Sequence, residues 1–260
     1  MLRKEYYYLF EIQYLGFRYH GWQKQPGVKS IQKALEKVFR YALGTDEFKL
    51  LACGRTDAGV SARQSYIEVF TRAPADFQQL TLLLNEKVAQ DIRLHFVREV
   101  DATFNIIKQV ESKEYRYYFS FGEKAHPFTA PFCQHWSGNL DLPRMQAACA
   151  LFVGTHNFAA FCNKPKEETQ WVRAVDSMEI QTGSRFEAEI WGKNSYYLQV
   201  KGKGFLRHQI RLMMGALVLL GQGEISEEAI RESLLSGKPV FKAYTAPGHG
   251  LELHSVKMSL

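Results

Sequence analysis

The chain has 260 residues, 33 Lys and Arg against 27 Asp and Glu, a formal charge of +6 and a hydrophobic content of 46%. That length fits one large domain or two small ones with a buried core, and the moderate excess of base suggests a polyanionic partner. The longest apolar run, Leu212 to Leu220, is too short to span a bilayer, and Met1 to Glu5 holds no signal-peptide core. The four cysteines, Cys53, Cys133, Cys149 and Cys162, form no C-x-x-C pair and have no histidine at metal-ligand spacing. The expectation is a soluble cytoplasmic protein with free thiols, no metal and no membrane association.

In chain order, Tyr6 to Tyr14 is rich in aromatic and β-forming residues and predicts a strand. Gly16 to Gly27 reads as a loop. Ser30 reads as an N-cap, with Ile31, Ala34, Leu35, Val38, Phe39 and Ala42 at helical spacing behind it and Gly44 as the stop. Leu50 to Cys53 and Gln64 to Phe70 predict short strands, Asp76 to Val88 an amphipathic helix, and Arg93 to Val100 a strand. The second half has the same rhythm. Tyr115 to Phe121 predicts a strand and Pro143 to Val153 a helix ended by Gly154. Val172 to Thr182, Phe186 to Trp191 and Ser195 to Lys201 predict antiparallel strands, with Gly192-Lys193-Asn194 as a turn. Phe205 to Leu220 predicts a long helix, Ser226 caps another that ends at Gly237, and Leu251 to Met258 predicts a last strand. The mixture implies an α+β fold with mostly antiparallel sheet. A boundary near residues 101 to 111 divides two similar halves, taken as 1–105 and 106–260.

The stretch from Cys53 to Gln64, Cys-Gly-Arg-Thr-Asp-Ala-Gly-Val-Ser-Ala-Arg-Gln, concentrates the chemistry. Gly54 and Gly59 bracket Asp57, so the backbone can turn tightly and leave the carboxylate projecting. Arg55 and Arg63 would favour its ionised form, which suits a nucleophile. The plainer alternative is an Asx-turn or helix cap, the usual work of a loop aspartate.

If the segment from Phe205 is helical, Gly204, Arg207, His208, Arg211 and Gly215 fall on one stripe of an otherwise apolar helix. A buried guanidinium needs a carboxylate, because an unpaired one costs about 3–5 kcal/mol. Arg211, deep in the apolar run, is expected in such a pair. Arg207 is divided between that role and holding phosphate or solvent at the helix edge. Gly204 and Gly215 would let another backbone approach. In Lys113 to Phe119, residues Tyr115, Tyr117 and Phe119 share one strand face, where a tyrosine can stack on a base, move a proton or simply pack. Lys193, Lys201, Lys203 and Arg207 could form a phosphate-binding stripe or serve solubility. Lys164, Lys166 and Arg173 surround Glu167-Glu168 and read as a solvated mixed run.

With those residues in hand, the chain resembles the tRNA pseudouridine synthase A family. The match is Gly54-Arg55-Thr56-Asp57-Ala58-Gly59-Val60, preceded by Gly21-Trp22-Gln23-Lys24-Gln25. Asp91-Ile92-Arg93, Tyr115-Arg116-Tyr117, Val153 to Phe158, Phe205 to Arg211 and Ala246-Pro247-Gly248-His249-Gly250-Leu251 follow in family order. The resemblance implies two RRM-like halves sharing one large antiparallel sheet, helices on one side and an active-site cleft between the halves. It implies isomerisation of uridine to pseudouridine in the anticodon stem-loop of tRNA, by a homodimer with no cofactor. Asp57 then matches the catalytic aspartate, Arg211 its arginine partner and Tyr115 the tyrosine stacked on the target base. Arg55 matches the arginine that holds or replaces the flipped nucleotide, and Leu251 an apolar residue against the base. Arg207 and Lys203 are expected to contact the RNA.

Three positions depart from that pattern. The family's early Tyr-Asp-Gly is Tyr14-Leu15-Gly16, the His after Gly-Val is Ser61, and the usual Phe-His-Ala-Arg is Phe104-Asn105-Ile106-Ile107. These changes suggest an altered substrate-contact layer and a shifted target uridine. They also admit a non-catalytic RNA-binding or remodelling protein of the same fold. A glycosidase that releases uracil is a third reading.

Overall fold

Strand β1 (Tyr6–Tyr14) is flanked on both edges, and that explains its composition. In the computed structural model, which describes residues 5–163, 170–183 and 195–259, it pairs antiparallel with β3 (Ser61–Thr71) on one side and β4 (Ile92–Val100) on the other. Tyr8, Leu9 and Phe10 are all buried in succession, so both faces of β1 are covered there and strict alternation is lost. Strand β2 (Phe48–Ala52) pairs antiparallel with the far end of β3, opposite Ile67 to Thr71. The chain divides into two dense units, residues 1–111 with 253–260, and residues 112–252.

Helices α1 (Ile31–Leu43) and α2 (Phe77–Lys87) cover the first unit's sheet. The Ser30 hydroxyl accepts from Lys33 N–H, and Gly44 closes α1 at φ +66°, so both ends of the predicted helix hold. Asp76 caps α2 in the same manner. The core between sheet and helices is aromatic. The Phe10 ring lies 5.6 Å from Phe39, 5.1 Å from Phe77 and 5.5 Å from Phe96, edge to face in each case. Each such contact is worth about 0.5–1.5 kcal/mol beyond simple burial.

The second unit is built on β5 (Val110–Phe121), β10 (Ser195–Gly202) and β9 (Ser177–Thr182), in that antiparallel order. A short β6 (Gln134–Trp136) runs parallel to the end of β5. The predicted strand over Val172 to Thr182 is two strands. Asp176 N–H donates to the Lys201 carbonyl at the break. Before it, β8 (Val172–Val175) turns away to pair with β7 (Gly154–Asn157) in a separate two-stranded sheet. The predicted helix over Pro143 to Val153 is α3 (Leu142–Ala148), tightening into a 3-10 turn over Cys149–Phe152 before Gly154. The strand expected at Phe186 to Trp191, the turn at Gly192-Lys193-Asn194 and the basic positions Lys164, Lys166 and Lys193, with Glu167 and Glu168, lie outside the described residues.

Helix α4 (Gln209–Gly221) is apolar all round and buried along nearly its whole length, as such a helix must be. Helix α5 (Glu227–Ser236) follows, capped by Ser226 and stopped by Gly237 at φ +68° as predicted. The expected start of α4 at Phe205 is corrected to Gln209. His208 takes the left-handed conformation at φ +62°, which breaks the helical path before it. The stripe drawn through Gly204, Arg207 and His208 therefore does not exist. Strand β11 (Leu251–Met258) closes the chain, and from Leu253 onward it belongs to the first unit beside β3, where Val256 N–H donates to the Gln64 side chain.

Glu68 is a buried oddity of the first unit. It lies on β3 opposite Leu9 and Leu51, only 1% exposed. One carboxyl oxygen accepts from Ile106 N–H at 3.2 Å, and the other, Oε1, is buried with no hydrogen-bond partner among the described residues. Burial raises its pKa above the ordinary carboxylate value, against the opposing pull of the Ile106 N–H and the Lys49 charge.

Two predictions follow from this packing. A Cβ at Gly215 would overlap the Tyr244 carbonyl, whereas one at Gly204 meets nothing within 4 Å. Gly215→Ala should destabilise by about 1–3 kcal/mol or more, and Gly204→Ala should stay within about 0.5 kcal/mol of wild type, both read by urea melts. For Glu68, the unfolded chain ionises at the lower, ordinary pKa. As pH rises from that value through the raised folded-state value, the folded form loses stability relative to the unfolded chain. Glu68→Gln lacks that equilibrium, so its stability relative to wild type should improve as pH rises from about 4 to about 8. A difference that does not change with pH would contradict the assignment.

Candidate active site

The residues expected at the site are divided between the two units. In the first unit, the segment after β2 runs through Cys53 to Val60 and enters β3 at Ser61. No helix begins here, so the helix-cap reading of Asp57 fails. The segment instead makes a reverse turn, closed by Val60 N–H donating to the Asp57 carbonyl at 3.2 Å, with Gly59 at φ +79°. That positive φ is why glycine stands there. The Asp57 side chain is half-buried, and Arg55 and Arg63 are exposed.

The turn is held from below by the segment that follows β1. Trp22 N–H donates to the Thr56 carbonyl at 3.0 Å, and Gly59 N–H donates to the Tyr19 carbonyl at 3.0 Å. Gly21 sits at φ +86°, and a Cβ there would come within 2.7 Å of the Thr56 oxygen and 3.0 Å of the Asp57 carbonyl carbon. Tyr19 is anchored in turn. Its phenol donates to Asp91 Oδ1 at 2.7 Å, while Arg18 donates to Asp91 Oδ2 and Leu15 N–H donates to the Asp91 carbonyl. Burial, with the Asp91 charge alongside, raises the Tyr19 pKa, so this phenol stays a donor.

The three departures from the family pattern behave differently from one another. Ser61 is 5% exposed, and its hydroxyl accepts from Gly16 N–H at 3.0 Å. It is a packing contact between the end of the Asp57 turn and the residue after Leu15, so two departures meet in one place. Leu15 itself is half-buried. Ile107 is 57% exposed, in a turn where Asn105 Oδ1 accepts from the Ile107 and Lys108 N–H groups.

In the second unit, β5 carries Tyr115 and Tyr117 on one face. Tyr115 is buried, and its ring meets Phe205 edge to face at 5.5 Å. Tyr117 donates to the Pro247 carbonyl at 2.8 Å and stacks on Trp136 at 6.1 Å. Burial pushes the Tyr117 pKa well up, with the Arg211 charge pulling the other way. Arg211, in the first turn of α4, is half-buried, and its Nε donates to the Ala246 carbonyl at 2.7 Å. Burial and the Arg211 charge together lower the His249 pKa and favour the neutral imidazole. Arg211 thus lies among Tyr117, Ala246 and His249, just before Leu251, which is buried at the start of β11. Lys203 and Arg207 are exposed in the segment that precedes α4. His208 is held there by a 2.9 Å hydrogen bond between its Nδ1 and the Asn163 amide.

Sequence reasoning passed over Tyr14, Thr56, Tyr19 and Asp91 as site-forming residues. Thr56 stood inside the Gly54 to Val60 block, Tyr14 beside the departure at Leu15, and Asp91 at the head of Asp91-Ile92-Arg93, each without a stated purpose. Among the described residues, no three His, Cys, Asp or Glu side chains gather as metal ligands, and no helix is long and apolar enough to cross a membrane.

Comparison with known proteins bears on the whole chain. The family described as tRNA pseudouridine synthase matches residues 148–258. The tRNA pseudouridine synthase A of Bacillus pumilus is 31% identical over 246 residues, covering 94% of this chain and 96% of the relative. That of Thermodesulfovibrio yellowstonii is 32% identical over 247 residues, and that of Geotalea uraniireducens 33% over 245, each with the same coverage of 94% and 96%. With identity above 30% across nearly the full length of both partners, the chain belongs to the tRNA pseudouridine synthase A family of enzymes.

Proposed function

We propose that this protein isomerises uridine to pseudouridine in the anticodon arm of tRNA, with Asp57 as the catalytic carboxylate. The observation that carries the reading is the Asp57 turn: a half-buried carboxylate on a backbone fixed by main-chain hydrogen bonds at the residues on both sides of it. Such a turn supplies the near-attack positioning that bond exchange at one carbon requires. The reaction breaks the bond from ribose C1′ to uracil N1 and forms one from C1′ to C5. The proton on C5 leaves, N1 gains one, and the mass is unchanged.

The uridine must leave its stack to be reached, at a cost of a few kcal/mol that a loop or stem end reduces. Arg55, exposed two residues before Asp57, is assigned to the space it vacates or to the flipped nucleotide. Tyr115 is assigned to the face of the base and to proton transfer at C5, and Leu251 to apolar contact with the ring. Arg211 is assigned as the partner that orients the Asp57 carboxylate. Its Nε donates to the Ala246 carbonyl at 2.7 Å, which fixes the direction of the guanidinium. Lys203 and Arg207 are exposed and assigned to phosphates, where they add salt-sensitive affinity without sequence preference. The reading also takes the active protein as a cytoplasmic homodimer. No step needs a redox group or a metal.

The test is tritium release from tRNA transcripts labelled at uridine C5, with nearest-neighbour analysis to locate the product. Wild type should release tritium and yield a mass-neutral product in the anticodon arm. Asp57→Ala should bind the same tRNA and lose about 10³-fold or more in rate. Arg211→Met should bind tRNA but turn over far more slowly, because the Asp57 carboxylate loses its orienting partner. Tight, salt-sensitive binding by wild type with no tritium release on any tRNA would replace this reading with that of a non-catalytic RNA-binding protein. Free uracil in the supernatant would replace it with a glycosidase.

A further inference from the structure

Tyr14 ends β1 directly beneath the Asp57 turn. It is 5% exposed, and its phenol shares a 2.8 Å hydrogen bond with the hydroxyl of Thr56, itself 8% exposed. Burial raises the Tyr14 pKa well above the ordinary phenol value, so the phenol is protonated at neutral pH. The register of β1 on β3 slips between Ile12, opposite Ser65, and Tyr14, opposite Ala62. Two residues of β1 thus span three of β3. That bulge bends β3 where it leaves the turn, and bulges commonly re-aim side chains beside active sites. The Trp22 ring lies 6.4 Å from the Tyr14 ring, and the Trp22 N–H takes the Thr56 carbonyl.

Thr56 is therefore held twice, at its hydroxyl and at its carbonyl, one residue before Asp57. We infer that Tyr14 is a positioning residue for the reaction: its phenol fixes Thr56 and, through it, the backbone from which the Asp57 carboxylate projects. The inference rests on the reading of Asp57 as the catalytic carboxylate. It differs from a packing role in what it moves. Tyr14 is 5% exposed beneath the turn, so its loss should act on the chemical step and leave RNA binding alone. Small displacements of a reacting group can cost on the order of 100-fold in rate.

The experiment compares Tyr14→Phe, Thr56→Val, Thr56→Ser and the Tyr14→Phe/Thr56→Val double variant, with Asp57→Ala alongside. It measures single-turnover tritium release from C5-labelled tRNA, tRNA dissociation constants by filter binding, and thermal melts. Tyr14→Phe and Thr56→Val should each slow the single-turnover step by about 10- to 100-fold with the dissociation constant unchanged. Thr56→Ser, which keeps the hydroxyl, should retain most of the rate. The double variant should be no slower than Thr56→Val alone, because both changes break one interaction. A folded Tyr14→Phe with the wild-type rate, or losses that multiply in the double variant, would overturn the positioning role while an inactive Asp57→Ala left the catalytic reading intact. An active Asp57→Ala would overturn the catalytic reading, and this inference with it. Should Tyr14→Phe fail to fold, the contrast between Thr56→Val and Thr56→Ser decides the matter: equal rates overturn the inference.

Discussion

The close approach of two main-chain segments governs the first unit. Residues 14–22 pass beneath residues 56–61 with no side chain between them at Gly21, where a Cβ would strike the Thr56 oxygen. That proximity lets Trp22 and Tyr19 bond the turn through backbone groups, and backbone bonds fix a loop more tightly than long side chains do. The Asp91 carboxylate and carbonyl secure the lower segment from β4's side, holding Arg18, Tyr19 and Leu15 together. A half-buried aspartate thus stands on a loop with little freedom to move. Loops elsewhere in proteins are usually the mobile part, and chemistry placed on them needs this kind of support.

In the second unit the same principle works through a helix. α4 is packed all round, and at Gly215 it admits the backbone of Tyr244, which brings residues 244–250 alongside the helix. The Ala246 carbonyl then lies where the Arg211 Nε can reach it, and His249 lies within the field of the Arg211 charge. A guanidinium half-buried in an apolar setting is costly unless its donors are met. Here a backbone carbonyl meets one of them and fixes the direction of the rest.

The places where the sequence misled share a cause. His208 adopts a left-handed conformation uncommon for a non-glycine residue, and its ring is hydrogen-bonded to Asn163, 45 residues away. The break at Asp176 is set by the carbonyl of Lys201 on a neighbouring strand. Ser61 is buried, and its hydroxyl accepts from Gly16 N–H, a partner 45 positions away. Glu68 drew no attention as one acidic residue in a strand, yet it is buried beneath the Ile106 amide. In each case the deciding partner is distant in sequence, where local periodicity carries no information.

What the sequence determined alone was the set of elements whose ends carry their own chemistry. Ser30 with Gly44 and Ser226 with Gly237 mark α1 and α5 because a hydroxyl cap and a left-handed glycine act within a few residues of where they stand. The apolar run of α4 likewise announced its own burial, and the ordered blocks around Asp57 announced the family. Only the tertiary structure decided that Tyr14 reaches Thr56 across 42 positions, that Gly21 makes room for the Asp57 turn, and that the last strand returns to the first unit. Those are contacts between segments that meet only after the chain has folded, and their geometry is set by packing that no short stretch of sequence contains.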